Sequence, residues 1–543
     1  MRVISVARLA TGGIEVHRSS GVRFLLAFLA IVFLKWNTLF QPPVWDTAMG
    51  LFPAALTLAG NGFDLLGLLG MPGFLEGGPN HHSTSLVTLG TAAVLWMTGG
   101  GTTALVVLHL VHFAGAALAL VVLFDLVRPV FGSKATLLLC VSVLLHPIFS
   151  TQVGYLYMEV PLFLFAVLSL RAWTRQRFWS AVLWATLAYA TKEPGLIVPG
   201  TLAVATLLEG GRSFTAKVRR TGQLMALPVA WTVTVFGLRR LALGAGGVSL
   251  VPSLDDIVWG VGHYLERFLV NVPDLLFLLV AFVVLAVIHG GPVLEALRRE
   301  PVGPSHRTQE QEELLVLGYS GILIVLFAMM FTLVLPATIG YTLILPRYYV
   351  TILPFLLVWF GYGVRELAGT RLRSPAALCF AVLAIVFFVN TNGVLYPSDV
   401  NTEGPGNDPP LTERSNAYRR LMALEMEAIG ALEALPVGVP VYYGHFEHFL
   451  FAHPELGYAH GPLSNGRNIW LDPIPEPYDV ASMPSCLYLL YNYPWLGGGE
   501  MQRVIGFAQA RPELDFEIVR EFRDGRYVIT LARIRRTTVD CPD

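Results

Sequence analysis

Apolar residues in this chain gather into long unbroken runs, and these runs recur from Val22 to Val389. Many are long enough to cross a hydrocarbon core of about 30 Å, which takes roughly 20 helical residues. From about Leu395 onward no such run occurs, and charged residues return to ordinary density. The pattern predicts three parts: a segment 1–21, a membrane-embedded helical region 22–394 and a soluble domain 395–543. The first run, Val22 to Phe40, lacks a small-residue cleavage pattern before Trp45 and reads as a transmembrane helix, not a removable signal.

Composition supports this reading. The chain is 54% hydrophobic and 14% charged, with a mean hydropathy of +0.59, well outside the averages for soluble proteins. A formal net charge of -1, with no basic stretch interleaved with aromatics, sets nucleic acid aside as a partner.

Charge also predicts orientation. Arg2, Arg8, Arg18 and Arg23 precede or open the first span, whereas residues 36–127 contain no Lys or Arg, which places the N-terminus in the cytoplasm. The following loop, 41–102, then lies outside, yet it contains an apolar run at Ser85 to Thr98 that is short for a crossing. If that run crossed, Arg128 and Lys134 would fall outside, so it is read as an interfacial or re-entrant helix. Four later basic loops then fall inside: Arg171, Arg175 and Arg177; Arg212, Lys217, Arg219 and Arg220; Arg298, Arg299 and Arg307; Arg365, Arg371 and Arg373. The spans are expected at 22–40, 103–127, 135–151, 159–173, 178–191, 194–208, 222–238, 268–288, 313–335, 348–364 and 375–394. The expected fold is a polytopic α-helical membrane protein of about eleven spans with an extracytoplasmic C-terminal domain, residing in the cell (inner or plasma) membrane.

The unusual charges collect at the outer ends of spans. Asp46 follows the first span, Glu159 opens the fourth, Lys192 and Glu193 occupy the turn after the fifth, and Arg347 opens the tenth. Arg239, Arg240, His263, Glu266 and Arg267 are assigned to a further outer loop. Only four lysines occur, Lys35, Lys134, Lys192 and Lys217, so Lys192 stands where the usual arginine was passed over. Each residue also has a purely structural reading: Asp46 as a solvated loop acid, Lys192 and Glu193 as a pair across a turn, the arginines as cations reaching lipid phosphates. Glu159 is the costliest, because it shares a short loop with Tyr155, Leu156, Tyr157 and Met158. Outer arginines run against the charge rule, and a phosphate-bearing substrate accounts for them.

Taken in order, these segments resemble the GT-C superfamily of polyprenyl-phosphate-sugar-dependent glycosyltransferases, near protein mannosyltransferases and bacterial aminoarabinose transferases. The similarity covers roughly residues 22–365. Trp45-Asp46-Thr47-Ala48 looks like the family's tryptophan-acidic pair, and Gly78-Pro79-Asn80-His81-His82 is a degenerate form of its Gly-His-Pro-Pro element. Glu159 sits where a second acidic residue is expected, Thr191-Lys192-Glu193-Pro194 looks like the Thr-Lys-Glu turn, and Leu345-Pro346-Arg347-Tyr348-Tyr349 looks like the Arg-Tyr signature. The resemblance implies surface helices in a long first loop and an inverting sugar transfer, with Asp46 as general base. It implies Lys192 and Arg347 as cations for the leaving phosphate, and Glu159 as a second carboxylate that positions the acceptor or shares the base role. His81, His82, Glu193 and Tyr348 complete the expected substrate-binding set. The implied partners are a polyprenyl-phosphate-linked sugar, a glycan, lipid or protein acceptor, and membrane lipids. No cofactor is expected, and a divalent cation is left open. Two other readings remain: a lipid or sugar transporter or flippase, which calls for charges at the membrane midplane, and a non-catalytic membrane scaffold.

In the tail, Pro397 to Pro410 reads as a linker and Leu411 to Leu435 as a helix. Val439 to Tyr443 and Cys486 to Tyr491 read as buried strands, and Phe516 to Arg523 with Arg526 to Ile534 as a hairpin turning at Asp524-Gly525, together giving a small α/β domain. His445, His448, His453 and His460 lack the partners of a zinc pattern. Cys486 and Cys541 are candidates to pair if the tail is outside the cytosol, whereas Cys140 and Cys379 fall in predicted spans.

Overall fold

The computed structural model describes residues 4–43, 47, 51–69, 85–243, 258, 273–299, 306–331, 346–369, 374–391, 418–435, 438–443, 454–463, 465–469, 480–481, 483–493, 498–524, 527–539 and 541. The chain divides into two compact units: residues 1–39, 85–87 and 108–395 form one, and 40–84, 88–107 and 396–543 the other.

The first unit is helical. Its elements are α1 (Ile4–Lys35), α5 (Gly101–Leu145), α6 (Pro147–Tyr155), α7 (Glu159–Thr174), α8 (Phe178–Thr191), α9 (Ile197–Leu208), α10 (Phe214–Leu243), α11 (Pro273–Arg298), α12 (Gln309–Met329), α13 (Leu353–Ala368) and α14 (Pro375–Thr391). Four described helical stretches are long and apolar enough to cross a membrane: Ser20–Thr38, Gly101–Leu145, Asp274–Arg298 and Gln309–Met329. The bent pair α6 and α7 makes a fifth if counted as one span. Exposed Leu25, Leu26, Leu29 and Phe33 on α1, and Phe277, Val280, Val283, Val287 and Ile288 on α11, are faces that water would not tolerate and lipid would.

Breaks between helices follow from particular residues. The expected spans 103–127 and 135–151 are joined in α5, which is interrupted at Gly132 (φ 71, ψ 174), a conformation that favours a residue without Cβ. That second span ends early, because Pro147 opens a new helix with His146 as its cap. Leu156 (φ 61) then ends α6, and α7 leaves at a bend of 113°. Helix α10 runs on to Leu243 and takes in Arg239 and Arg240, which were expected in an outer loop. Leu, Arg and Ala are good helix formers, so nothing there stops it. His263, Glu266 and Arg267 lie outside the described residues.

Buried aromatics hold the bundle together. Trp359 of α13 is 2% exposed, lies edge-on to Phe282 of α11 at 5.3 Å and donates from Nε1 to Ser320 of α12. Two residues on, Gly361 takes the Phe380 ring of α14 so closely that a Cβ would lie 2.2 Å from it. The Arg23 and Arg171 guanidiniums donate to the two oxygens of Asp125 at 2.9 and 2.6 Å, tying α1 and α7 to α5.

The second unit contains α2 (Phe52–Gly60), α3 (Leu65–Leu69), most of α4 (Leu86–Thr98) and the tail domain. Helix α4 is the short apolar run expected to lie at the interface. The tail has helices α15 (Tyr418–Glu433) and α16 (Gly498–Gln509) with strands β1 (Val441–Tyr443), β2 (Gly466–Asn468), β3 (Cys486–Tyr493), β4 (Leu514–Asp524) and β5 (Tyr527–Arg536). The sheet order is β2-β1-β3-β5-β4, parallel on the β1 side and antiparallel from β3 to β4. Met483, Leu487, Leu489, Met501, Val504 and Ile534 form its core. Within this unit the Tyr458 hydroxyl donates to the Pro43 carbonyl at 3.0 Å, joining the tail to the segment after the first span.

Cys486 and Cys541 form a disulfide with Cα atoms 5.7 Å apart, leaving Cys140 and Cys379 as free thiols. Alkylation of the unreduced, denatured chain should therefore label two cysteines, both inside the helical unit. The bond joins residues 55 positions apart, and in the chain-entropy account closing such a loop stabilises by about 4 kcal/mol. Cys541→Ser should accordingly melt the tail domain earlier in a thermal scan. An unchanged melting profile, or four labelled cysteines, would contradict the pairing.

Candidate functional site

Three local structures of the helical unit bring together Glu159, Lys192 and Arg347. Glu159 is the first residue of α7, where a carboxylate meets the positive end of the helix dipole. The bend after Leu156 allows the helix to begin there. Lys192 follows the last residue of α8 in extended conformation (φ −160, ψ 148) and precedes a 3-10 turn, Glu193–Leu196, in which Pro194 prevents α8 from continuing. Gly195 locks this turn against α8, since a Cβ there would lie 2.1 Å from the Ala188 carbonyl oxygen. Arg347 stands on a second 3-10 turn, Pro346–Thr351, immediately before α13. Tyr349 anchors that turn in the core, 5.1 Å from Phe327 and 6.1 Å from Phe331. Helix α7 packs directly on both α8 and the Arg347 turn.

The resulting cluster is enclosed. Glu159 is 1% exposed, Arg347 3% and Lys192 7%. Lys192 Nζ donates to Glu159 Oε1 at 2.5 Å, and Arg347 Nε lies 3.7 Å from the same oxygen. Aromatic faces complete the surroundings: Lys192 Nζ sits 4.5 Å from the Tyr348 ring, and the Arg347 guanidinium 4.8 Å from Tyr157 and 5.4 Å from Tyr348. Burial alone would lower the Lys192 pKa, but the Glu159 carboxylate, aided by Tyr348, outweighs it and holds the ammonium above its ordinary value. Lys192 is therefore a fixed positive charge throughout the neutral range.

Polar atoms without protein partners gather on the same elements. Among the described residues, Glu159 Oε2 and the hydroxyls of Thr351 and Thr151 are buried and make no hydrogen bond. Thr351 shares the Arg347 turn, and Thr151 belongs to α6, which packs on that turn. Buried polar atoms of this kind are rare without a ligand or water to serve them.

Of the residues singled out in the sequence, Glu159, Lys192, Arg347 and Tyr348 thus meet in one place. Glu193 does not join them. It is exposed on its turn, and the turn pairing with Lys192 is replaced by the longer-range bond to Glu159. Asp46, His81 and His82 lie outside the described residues, as do His445, His448 and His453. His460 is exposed and pairs with Glu433 at 2.7 Å. Among the described residues no group of three or more His, Cys, Asp or Glu side chains is placed to hold a metal ion. Sequence reasoning missed Thr151 and Thr351, whose only signal is a hydroxyl inside an apolar run, and the role of Tyr157 as a cation platform.

The fold and site together define an α-helical chain with several membrane-length apolar helices and a small C-terminal sheet domain, carrying a buried cluster of two cations around one carboxylate. No protein-family profile and no curated protein matches the sequence. Among solved structures the chain is similar to ArnT from Cupriavidus metallidurans bound to undecaprenyl phosphate, at 15% identity over 96% of this chain and 99% of that one, with a TM-score of 0.44. It is similar to the apo state of the same protein at 15% identity over 94% and 98%, with a TM-score of 0.43. The likeness is loose at these values, and the chain's own Glu159, Lys192 and Arg347 carry the reading of function.

Removing one partner of a buried ion pair leaves the other charge stranded, at a cost of about 3–5 kcal/mol. Lys192→Met should therefore lower the thermal midpoint of the purified protein markedly, and adding Glu159→Gln should recover much of the loss. Because the Lys192 pKa is raised, the pair's contribution is complete below the ordinary lysine value of about 10.4 and fades only as pH rises through the higher folded value. A loss of Lys192-dependent stability already at pH 8 would refute the pairing.

Proposed function

We propose that this chain is a multi-pass membrane glycosyltransferase that moves a sugar from a polyprenyl-phosphate carrier to an acceptor on the extracytoplasmic face. The observation that supports this reading is the buried Lys192–Glu159–Arg347 cluster. A leaving phosphate needs fixed cations that require no reorganisation when the bond breaks, and Lys192 and Arg347 are held in place by the carboxylate between them.

In this reading the acceptor hydroxyl oxygen attacks the anomeric carbon while the Asp46 carboxylate takes its proton. A carboxylate suffices because the hydroxyl becomes more acidic as the new bond forms. The bond from the anomeric carbon to the phosphate oxygen breaks, the electron pair leaves with the polyprenyl phosphate, and Lys192 and Arg347 meet the charge that develops there. A single displacement inverts the anomeric carbon. Glu159 acts as a positioning residue, since its Oε1 is engaged by Lys192, and Oε2 remains to orient the acceptor. Tyr348 roofs Lys192 and limits its motion. His81, His82 and Glu193 are assigned to the donor's sugar and phosphate by their motifs alone.

The proposed topology keeps about eleven crossings, a cytoplasmic N-terminus and an extracytoplasmic tail. The Cys486–Cys541 bond favours an oxidising compartment for the tail. The divisions 1–21, 22–394 and 395–543 are retained as functional regions, with the long loop 41–102 carrying the base.

Lipid-linked sugars extracted from cells lacking the gene should contain an accumulated donor, and the purified protein, given an envelope extract from the same cells as the source of acceptor, should convert it to free polyprenyl phosphate as the sugar passes to that acceptor. Asp46→Asn should insert normally yet release polyprenyl phosphate about 10²- to 10⁴-fold more slowly. Release at the wild-type rate would eliminate Asp46 as the base. Accumulated donor that wild-type protein leaves chemically unchanged would favour transport.

A further inference from the structure

We propose a second ligand site in the helical unit, a pocket at the opposite end of α7 that binds the phosphate group of an anionic ligand. A cavity of 410 Å³ lies where α5, α7 and α12 converge, lined by Arg128, Arg171, Arg175, Arg177 and Arg307 with Asp125 and Glu312. The inference does not depend on sugar transfer.

The cavity is built by specific contacts. Arg307 donates to the Thr174 carbonyl at 2.5 Å and Gln309 to the Pro129 carbonyl at 3.2 Å, fastening the start of α12 to the end of α7 and to the kinked part of α5. A capping box between Thr308 and Gln311 fixes that start. Asp125 is occupied by Arg23 and Arg171. Among the described residues no side-chain ion pair engages Arg128, Arg175 or Arg177, and Arg171 Nε is buried without a hydrogen-bond partner. Arg175, Arg177 and Arg23 stand close enough to Arg171 to repel it. Gathering these cations around one space is unfavourable unless an anion relieves it.

Basic residues collect at the cytoplasmic ends of spans for orientation alone, and that rule spreads charge along loops. Here arginines from three separate chain segments instead converge on one cavity, far larger than the ~30 Å³ share of a water molecule. Guanidinium forks match phosphate oxygens in pairs. A phosphate at this end comes from a lipid headgroup of the adjoining leaflet or from a soluble phosphate ester.

Full-length protein in a zwitterionic detergent, titrated calorimetrically with short-chain phosphatidylglycerol and separately with inorganic pyrophosphate, tests the site. Saturable binding of the lipid alone assigns a headgroup, and binding of pyrophosphate, with or without the lipid, assigns phosphate itself. Either supports the proposal. Arg175→Gln with Arg177→Gln should weaken binding about tenfold or more, with an unchanged melting temperature, because both side chains are exposed. Arg175→Lys with Arg177→Lys keeps the charge but loses the fork, and should weaken it several-fold. Arg219→Gln, which removes an exposed cation from a different basic segment, should leave it unchanged. No saturable binding of either probe, or undiminished binding by the lysine or glutamine variants, would overturn the site. So would an equal loss in the Arg219 variant.

Discussion

A carboxylate and an ammonium buried together must recover a desolvation penalty of several kcal/mol each, and they do so only in good geometry. The Glu159–Lys192 bond at 2.5 Å therefore constrains everything around it. Helix α7 has to begin at Glu159, which requires the sharp exit from α6. Helix α8 has to stop before Lys192, which Pro194 ensures and Gly195 permits by letting the turn close on the Ala188 carbonyl. The Arg347 turn is drawn to the same oxygen and held by Tyr349 among the core aromatics. Backbone punctuation, aromatic packing and charge thus all converge on one point.

The members of this cluster were legible in the sequence, because a charge in apolar surroundings is expensive and the sequence tolerates few of them. Their partners were not. Lys192 has an acid beside it in Glu193, and nothing in local sequence says that the side chain turns away from it toward a residue 33 positions back. That choice is made by tertiary packing of α7 on α8. The same limit explains the helices. The apolar runs that become α7, α8 and α9 were found, and so was the break in α5 near Gly132, but the continuation of α10 through Arg240 was not. A pair of arginines favours a helix as much as a loop and is a weak signal by itself. In the tail, the hairpin was legible from alternation. Strand β2, with three residues, is too short to show a pattern, and three consecutive glycines, Gly497 to Gly499, obscure the start of α16.

Helix α7 also sets a length that bears on where the chemistry sits. Glu159 and Arg171 are twelve residues apart on one helix, about 18 Å at a rise of ~1.5 Å per residue. A hydrocarbon core is about 30 Å thick. In the proposed topology, where α7 crosses the membrane, its two charged ends cannot both reach water at opposite surfaces of an unperturbed bilayer, so one cluster would lie below the membrane surface or the bilayer would thin around it. The two ends also differ in enclosure by protein: Glu159 is almost fully enclosed, whereas Arg171 keeps 29% of its side chain accessible and opens onto a cavity. A carboxylate enclosed among apolar side chains survives only if cations accompany it, and this is the arrangement that Lys192 and Arg347 provide. In the proposed reaction, cations at that depth would meet a phosphate whose prenyl chain remains in lipid, while a sugar and its acceptor would approach from the aqueous side. If sugar transfer proceeds as proposed, the depth that makes the ion cluster costly is also the depth at which its lipid-linked leaving group would be met.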